Sequence, residues 1–211
     1  MAERRPIAAR GSGWAQAAAR RLAASSVTPN QISASSMGFA ALAFACFWLT
    51  RPAGPLLEAL LLVAAALFCQ LRLIANLLDG MVALEGGKGG PTGPFWNEAP
   101  DRVADVLILA GLGLACGLFW LGCLAGALAV GTAYVRELGR AEGLAADFCG
   151  PMAKPHRMAA VTAGCVAGAV EALATGTQWA LLATLCLVAL GTAATALRRS
   201  VRLIRALSLR A

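Results

Sequence analysis

The sequence is poor in charge. Only 14% of its 211 residues are Asp, Glu, Lys or Arg, while 59% belong to the apolar AVILMFWYC set. Adding the 23 glycines brings the apolar share to about 70%, against roughly 45–50% in soluble domains. That scarcity excludes a soluble globular domain and a disordered tail. The apolar runs are unbroken rather than heptad-spaced, which excludes a coiled coil. Histidine occurs once, at His156. Seven cysteines are present, an odd number without a Cys-x-x-Cys pair. They imply no disulfide framework and read as small hydrophobes. The first 30 residues lack a compact apolar core behind Arg4 and Arg5, so they do not read as a signal peptide. Acids are outnumbered, 11 Asp+Glu against 18 Lys+Arg, giving a net charge of +7. In so apolar a chain this excess reports membrane orientation, not nucleic-acid binding.

What is present is a series of apolar runs of membrane-spanning length. Six are expected, at 32–50, 56–78, 100–119, 121–138, 158–174 and 178–197. The fold class read from them is an all-α integral membrane protein with six transmembrane helices, in one domain over 1–211. Residues 1–30 form an N-terminal arm. Within it, 11–27 reads as an interfacial amphipathic helix with Trp14, Ala18 and Leu22 on one face. Thr28, Pro29 and Gln31 predict a capping box at the start of the first span. Glycine is dense in the middle spans, as close helix packing requires. Lys and Arg gather at the chain ends and in the loops after spans two and four. This charge pattern places both termini on the cytoplasmic side of the cell (inner) membrane.

Acidic and amide side chains concentrate in one stretch: Asn76, Asp79, Glu85, Asn97, Glu98, Asp101 and Asp105. Asn76 and Asp79 share a helix face near the end of span two, and Asn97 and Asp101 share another at the start of span three. Intramembrane charges mark function. Oxygen donors at a membrane edge suit a hard cation holding a diphosphate; helix capping and interfacial solvation are the plain alternative. The glycine-rich turn between them is no P-loop, because Val82 and Gly89 stand where that pattern needs Gly and Ser or Thr.

The stretch Asn76-x2-Asp79-Gly80-x2-Ala83-Leu84-x8-Gly93-x3-Asn97-x3-Asp101 resembles the CDP-alcohol phosphatidyltransferase family. That family's motif is D-x2-D-G-x2-A-R-x8-G-x3-D-x3-D. Every spacing agrees. Asn76 and Asn97 replace the first and third aspartates, and Leu84 replaces the arginine.

The resemblance implies a phosphotransferase of phospholipid biosynthesis. Such an enzyme moves a substituted phosphate, typically phosphatidyl, from a CDP-alcohol to an acceptor hydroxyl and releases CMP. It implies Mg²⁺ or Mn²⁺, one or two ions, held by Asn76, Asp79, Asn97 and Asp101, with Glu98 able to restore charge. Asp101 matches the general base. Asn30, Gly80, Ala83, Lys88, Thr92 and Gly93 are the expected CDP-alcohol contacts. Arg136, Arg140, Lys154, His156 and Arg157 form the expected pocket for a phosphorylated acceptor. A homodimer is common among such enzymes. The alternative is a catalytically degenerate lipid- or nucleotide-binding membrane protein of the same fold.

Overall fold

A computed structural model describes residues 8–210, so Arg4 and Arg5 lie outside the described residues. Among the described residues there are seven α-helices, a short 3-10 turn and no strand. The helices are α1 (Gly13–Ala23), α2 (Pro29–Thr50), α3 (Pro55–Glu85), α4 (Gly93–Ala115), α5 (Phe119–Ala141), α6 (Lys154–Ala174) and α7 (Trp179–Ser208).

Five of them, α2, α3, α5, α6 and α7, are long and apolar enough to cross a membrane. The expected third span, α4, is not among them, because Glu98, Asp101, Arg102 and Asp105 crowd its first half. It also begins earlier than expected, at Gly93, and runs through Pro100. Pro94 occupies the first turn, where a missing N–H costs nothing. Pro100 instead removes one helical hydrogen bond inside the helix. The 31 residues of α3 and the 30 of α7 exceed the ~20 that span a hydrocarbon core. Their surplus turns carry Asn76–Glu85 and Arg199–Arg205 towards a polar end of the bundle.

Six helices close into a ring in the order α2, α3, α6, α7, α5, α4, with each packed on the next and α4 returning to α2. Phe47, Leu62, Leu109, Leu112, Val161, Leu181 and Leu185 fill its interior with no exposed surface. Outward-facing Leu60, Leu67, Val170, Leu190 and Leu197 are more than half exposed, a large apolar surface that a lipid environment would cover. Trp48, Trp120 and Trp179, also exposed, lie at the end of α2 and the starts of α5 and α7. They therefore mark one end of the ring, as aromatic belts do at a membrane interface.

Helix α1 lies outside the ring, against α3. Its buried face centres on Ala15 and Ala19, packed with Leu78, Met81 and Val82, while Ala18 and Leu22 sit at the border. Trp14, expected on one face with Ala18 and Leu22, is exposed. The small alanines let α1 approach α3 closely.

Helices α4 and α5 cross backbone to backbone at Gly113 and Gly122. A Cβ on Gly122 would stand 2.4 Å from the Leu109 carbonyl oxygen and 2.9 Å from Gly113 Cα. Both obstacles are backbone, so no rotamer change relieves them. Gly122→Leu should therefore part α4 from α5 and destabilise the fold by about 1–3 kcal/mol or more. Thermal unfolding in detergent should show a clear fall in Tm, whereas Gly131→Leu, with open space around it, should leave the Tm nearly unchanged.

Candidate active site

The site is assembled at the polar end, where the start of α2, the end of α3, the first half of α4 and the start of α6 meet. The expected capping box is present at α2. Thr28 Oγ1 accepts from the Gln31 N–H at 3.2 Å, and Gln31 Oε1 accepts from the Thr28 N–H at 2.9 Å. One turn on, Ser33 donates its hydroxyl to Asp79 Oδ2 at 2.5 Å. Asp79 is 6% exposed, and its Oδ1 is buried without a hydrogen-bond partner. The Gly80 backbone N–H also supports this carboxyl; because buried polar atoms are nearly always paired, Oδ1 stands out as having acceptor capacity to spare.

From α4, Asp101 faces the same place. Its Oδ1 accepts the amide of Asn76 and lies 3.3 Å from Arg72 Nη2, while its Oδ2 meets the Lys154 ammonium. Asp79 lies within electrostatic reach of both Asp101 and Lys154. One turn deeper, Asp105 is clamped between Arg72 at 2.9 Å and Arg157 at 2.6 Å. All three of these side chains are almost wholly buried. Arg72 also donates to the Asp101 backbone carbonyl, and Arg157 to that of Met152. Lys154 and Arg157, three apart on α6, share a face and meet Asp101 and Asp105, four apart on α4. The result is a two-rung charge ladder between α4 and α6 with Arg72 of α3 wedged into it.

The remaining expected ligands lie differently. Asn97 is exposed, and its amide donates to Glu98 at 3.4 Å. Glu98 Oε2 is paired with Arg102 at 2.9 Å and Arg136 at 2.6 Å. Its charge is thus neutralised by two guanidiniums. Glu85 is exposed at the end of α3. Among the described residues no three His, Cys, Asp or Glu side chains converge on a cation position. The side-chain oxygens grouped here are those of Asp79, Asn76 and Asp101, with both Asp101 oxygens also engaged by Asn76, Arg72 and Lys154. Hard cations are commonly held by one or two carboxylates and complete their shell with water and substrate phosphate.

The expected nucleotide contacts border this cluster. Asn30 donates to Thr92 Oγ1 at 3.4 Å, joining the start of α2 to that of α4. Gly80 and Ala83 are half-buried on α3, and a Cβ at Gly93 would meet open space. Lys88 is engaged elsewhere, donating to the carbonyls of Ser25 at 2.5 Å and Val27 at 3.2 Å. It fastens the glycine-rich turn to the segment joining α1 and α2.

The expected basic pocket is divided. Lys154 and Arg157 belong to the ladder. Arg140 pairs with Glu137 at 3.0 Å near the surface. His156 is exposed, with Nδ1 3.0 Å from the Pro151 carbonyl oxygen. Arg136 turns to a cavity of about 200 Å³ between α5 and α7, whose lining includes Asp147, Arg199 and Arg202. Arg199 is anchored by carbonyls, donating to Cys149 and to Thr132, both at 2.9 Å. Arg202 pairs with Asp147 at 2.9 Å. Partial burial pushes the Asp147 carboxyl up, but hydrogen bonds from Cys149 and the nearby Arg202 outweigh it and hold it below the usual carboxylate value. The anchoring by Asp147 is thus complete at neutral pH and is lost only as pH falls through that lowered value.

Sequence reasoning missed Ser33 as a partner of Asp79; it counted Asp105 in the acidic stretch without a role of its own and gave none to Arg72. It counted Arg199 and Arg202 only as orienting charges. Their three-residue spacing on a helix already puts them on one face.

Known structures with the same helix arrangement bear directly on this geometry. The phosphatidylinositol phosphate synthase of Mycobacterium tuberculosis, solved with CDP-DAG bound, superposes with a TM-score of 0.74. It is 21% identical over 91% of this chain and 94% of that one. The same synthase in complex with manganese and citrate gives 0.73 at 21% identity, over 90% of this chain and 88% of that one. Its apo form gives 0.69 at 20% identity, over 87% and 92%. The chain has the fold of this synthase. No family model matches its sequence, and neither does any curated protein.

The ladder makes a stability prediction independent of chemistry. Asp105→Asn leaves the buried Arg157 without a counter-charge and Arg72 with Asp101 alone, and should cost about 3–5 kcal/mol. Arg140→Ala breaks an exposed pair and should cost under about 1 kcal/mol. Denaturant unfolding of the two variants in detergent separates these outcomes.

Proposed function

We propose that the chain is an integral-membrane phosphotransferase of phospholipid biosynthesis, transferring phosphatidyl from CDP-diacylglycerol to an acceptor hydroxyl with release of CMP. The observation that carries this reading is the convergence of Asn76, Asp79 and Asp101, in the spacing of the family motif, around the one unpartnered buried carboxylate oxygen of the site. The synthase that shares the fold was solved with CDP-DAG, which supports the choice of donor. All six ring helices cross the membrane in this reading. Helix α4 does so despite its charges, because they face the ladder and the site rather than lipid. The arginine-rich end faces the cytoplasm, where nucleotides are found.

In the reaction, the acceptor oxygen attacks the phosphorus that bears the lipid alcohol. The bond from that phosphorus to the CMP oxygen breaks, and CMP leaves with the electron pair. The hydroxyl proton passes to the Asp101 carboxylate. Arg72, Asn76 and Lys154 hold that carboxylate in one orientation. A divalent cation held by Asp79, Asn76 and Asp101 would neutralise charge on the diphosphate oxygens. Asn30, Thr92, Gly80 and Gly93 border the nucleotide side. The cavity carrying Arg136, Arg199 and Arg202 suits an anionic, phosphorylated acceptor, since guanidiniums bind phosphate through paired donors. Arg136 connects the cavity to α4 through Glu98.

A second reading, a non-catalytic lipid-binding relative, is favoured by one feature: Asn76 and Asn97 remove two motif charges. Purified protein with Mg²⁺ or Mn²⁺, CDP-diacylglycerol and a panel of phosphorylated polyols decides between them. The native chain should release CMP, and Asp101→Asn should lower turnover by about 10²–10⁴-fold. An inert native chain that Asn76→Asp with Asn97→Asp makes active would establish the second reading instead.

A further inference from the structure

The basic cluster expected to serve the acceptor contributes two members to the carboxylates, Arg157 at Asp105 and Lys154 at Asp101. Lys154 is the first residue of α6, where a cation opposes the positive end of the helix dipole. Its place there is stabilised by Asp101, whose Oδ2 it contacts directly. The charge balance around it is closed. Asp79, Asp101 and Asp105 face Arg72, Lys154 and Arg157, three carboxylates against three cations, and Arg102, 3.8 Å from Asp101, is matched by Glu98. The motif positions that would add negative charge are Asn76 and Asn97. The nearby acid able to replace them, Glu98, is already paired with Arg102 and Arg136.

Building on the function proposed above, we infer that Lys154 is a tethered cation standing in for one divalent ion, so that the site takes a single divalent ion beside Asp79. One such ion raises the neutral cluster to a charge of two, matching the two negative charges of a diphosphate diester. A second ion would double that excess without a counter-charge, at distances where charges interact strongly. The ammonium also brings a donor to the diphosphate that needs no ion to be recruited from solution. Lys154 thus belongs with the reacting phosphates, and the acceptor pocket is left to Arg136, Arg199 and Arg202.

The test counts ions rather than turnover. Full-length protein in nanodiscs is mixed with increasing Mn²⁺, and free Mn²⁺ is read by its paramagnetic resonance signal. The native chain should saturate at one Mn²⁺, and Lys154→Arg, which keeps the charge, should do the same. Lys154→Met should bind Mn²⁺ at least about tenfold more tightly or take up a second ion, because Asp101 loses its internal competitor. Unchanged or weaker binding by Lys154→Met would overturn the inference, as would two ions in the native chain or none in either protein. Should Lys154→Met fail to fold, Asn76→Asp serves with Lys154 in place. It should tighten the single ion, and a second ion bound there would overturn the inference. CMP release is measured separately. A native chain that binds one Mn²⁺ yet releases no CMP with any acceptor removes the transferase reading and leaves the ion count standing.

Discussion

Asp105 held between Arg72 and Arg157 is the contact on which the polar end of this molecule depends. Three charged side chains lie in the ring with almost no access to water. Removing charges from water is expensive, and their attraction offsets that only while geometry stays close and every partner is present. The clamp therefore fixes where α3, α4 and α6 stand relative to one another. It also fixes Asp101, one turn above on α4, because Arg72 reaches both the carboxylate and the backbone carbonyl of that residue. The reacting group in the proposed chemistry is thereby built on rigid helices and supported from below, which limits its freedom at the moment of attack.

The rest of the ring answers a different demand. Away from the site the helices meet through alanine and glycine, as at Gly113–Gly122 and at Gly164 against Thr184. Lipid tails supply no hydrophobic drive between helices, so close approach and dispersion must hold them. Large apolar side chains are correspondingly free to face outward. The long helices α3 and α7 connect the two regimes. Each begins at the end marked by exposed tryptophans and finishes among the charges that make the site and the cavity.

Much of this was legible in the residues. Run lengths and positive charge placed the helices, and Thr28, Pro29 and Gln31 announced the start of α2. The spacing from Asn76 to Asp101 anticipated the meeting of those two side chains, because it reflects two helix faces joined by a turn. The start of α4 was not legible: Pro100 looks like a boundary, yet Pro94 is the proline at the helix start, and packing carries the helix through the later one. Nor could spacing assign partners among charges. Glu98 and Asp101 lie on neighbouring positions of one helix, but which cation reaches which acid depends on α5 and α6, elements distant in sequence. Arg199 and Lys154 illustrate the same limit. Arg199 reads as a flanking charge and Lys154 as an acceptor contact until the ring closes and brings Arg199 to α5 and Lys154 to Asp101 of α4.

The asparagines at 76 and 97 are best understood with that closure in view. An aspartate at 76 would set a third carboxylate beside Asp79 and Asp101, and only added cations could neutralise it. Asparagine keeps a side-chain oxygen and adds an N–H, which the structure directs at Asp101. The substitution thus turns a repulsive neighbour of the proposed base into a donor that orients it. At 97 the side chain faces solvent beside Glu98, where a further negative charge would compete for Arg102 and Arg136. Loss of motif charge and gain of internal pairing are therefore two sides of one electrostatic solution. The ladder, Lys154 and the guanidiniums around Glu98 together supply positive charge that a more acidic motif would have to draw from solution.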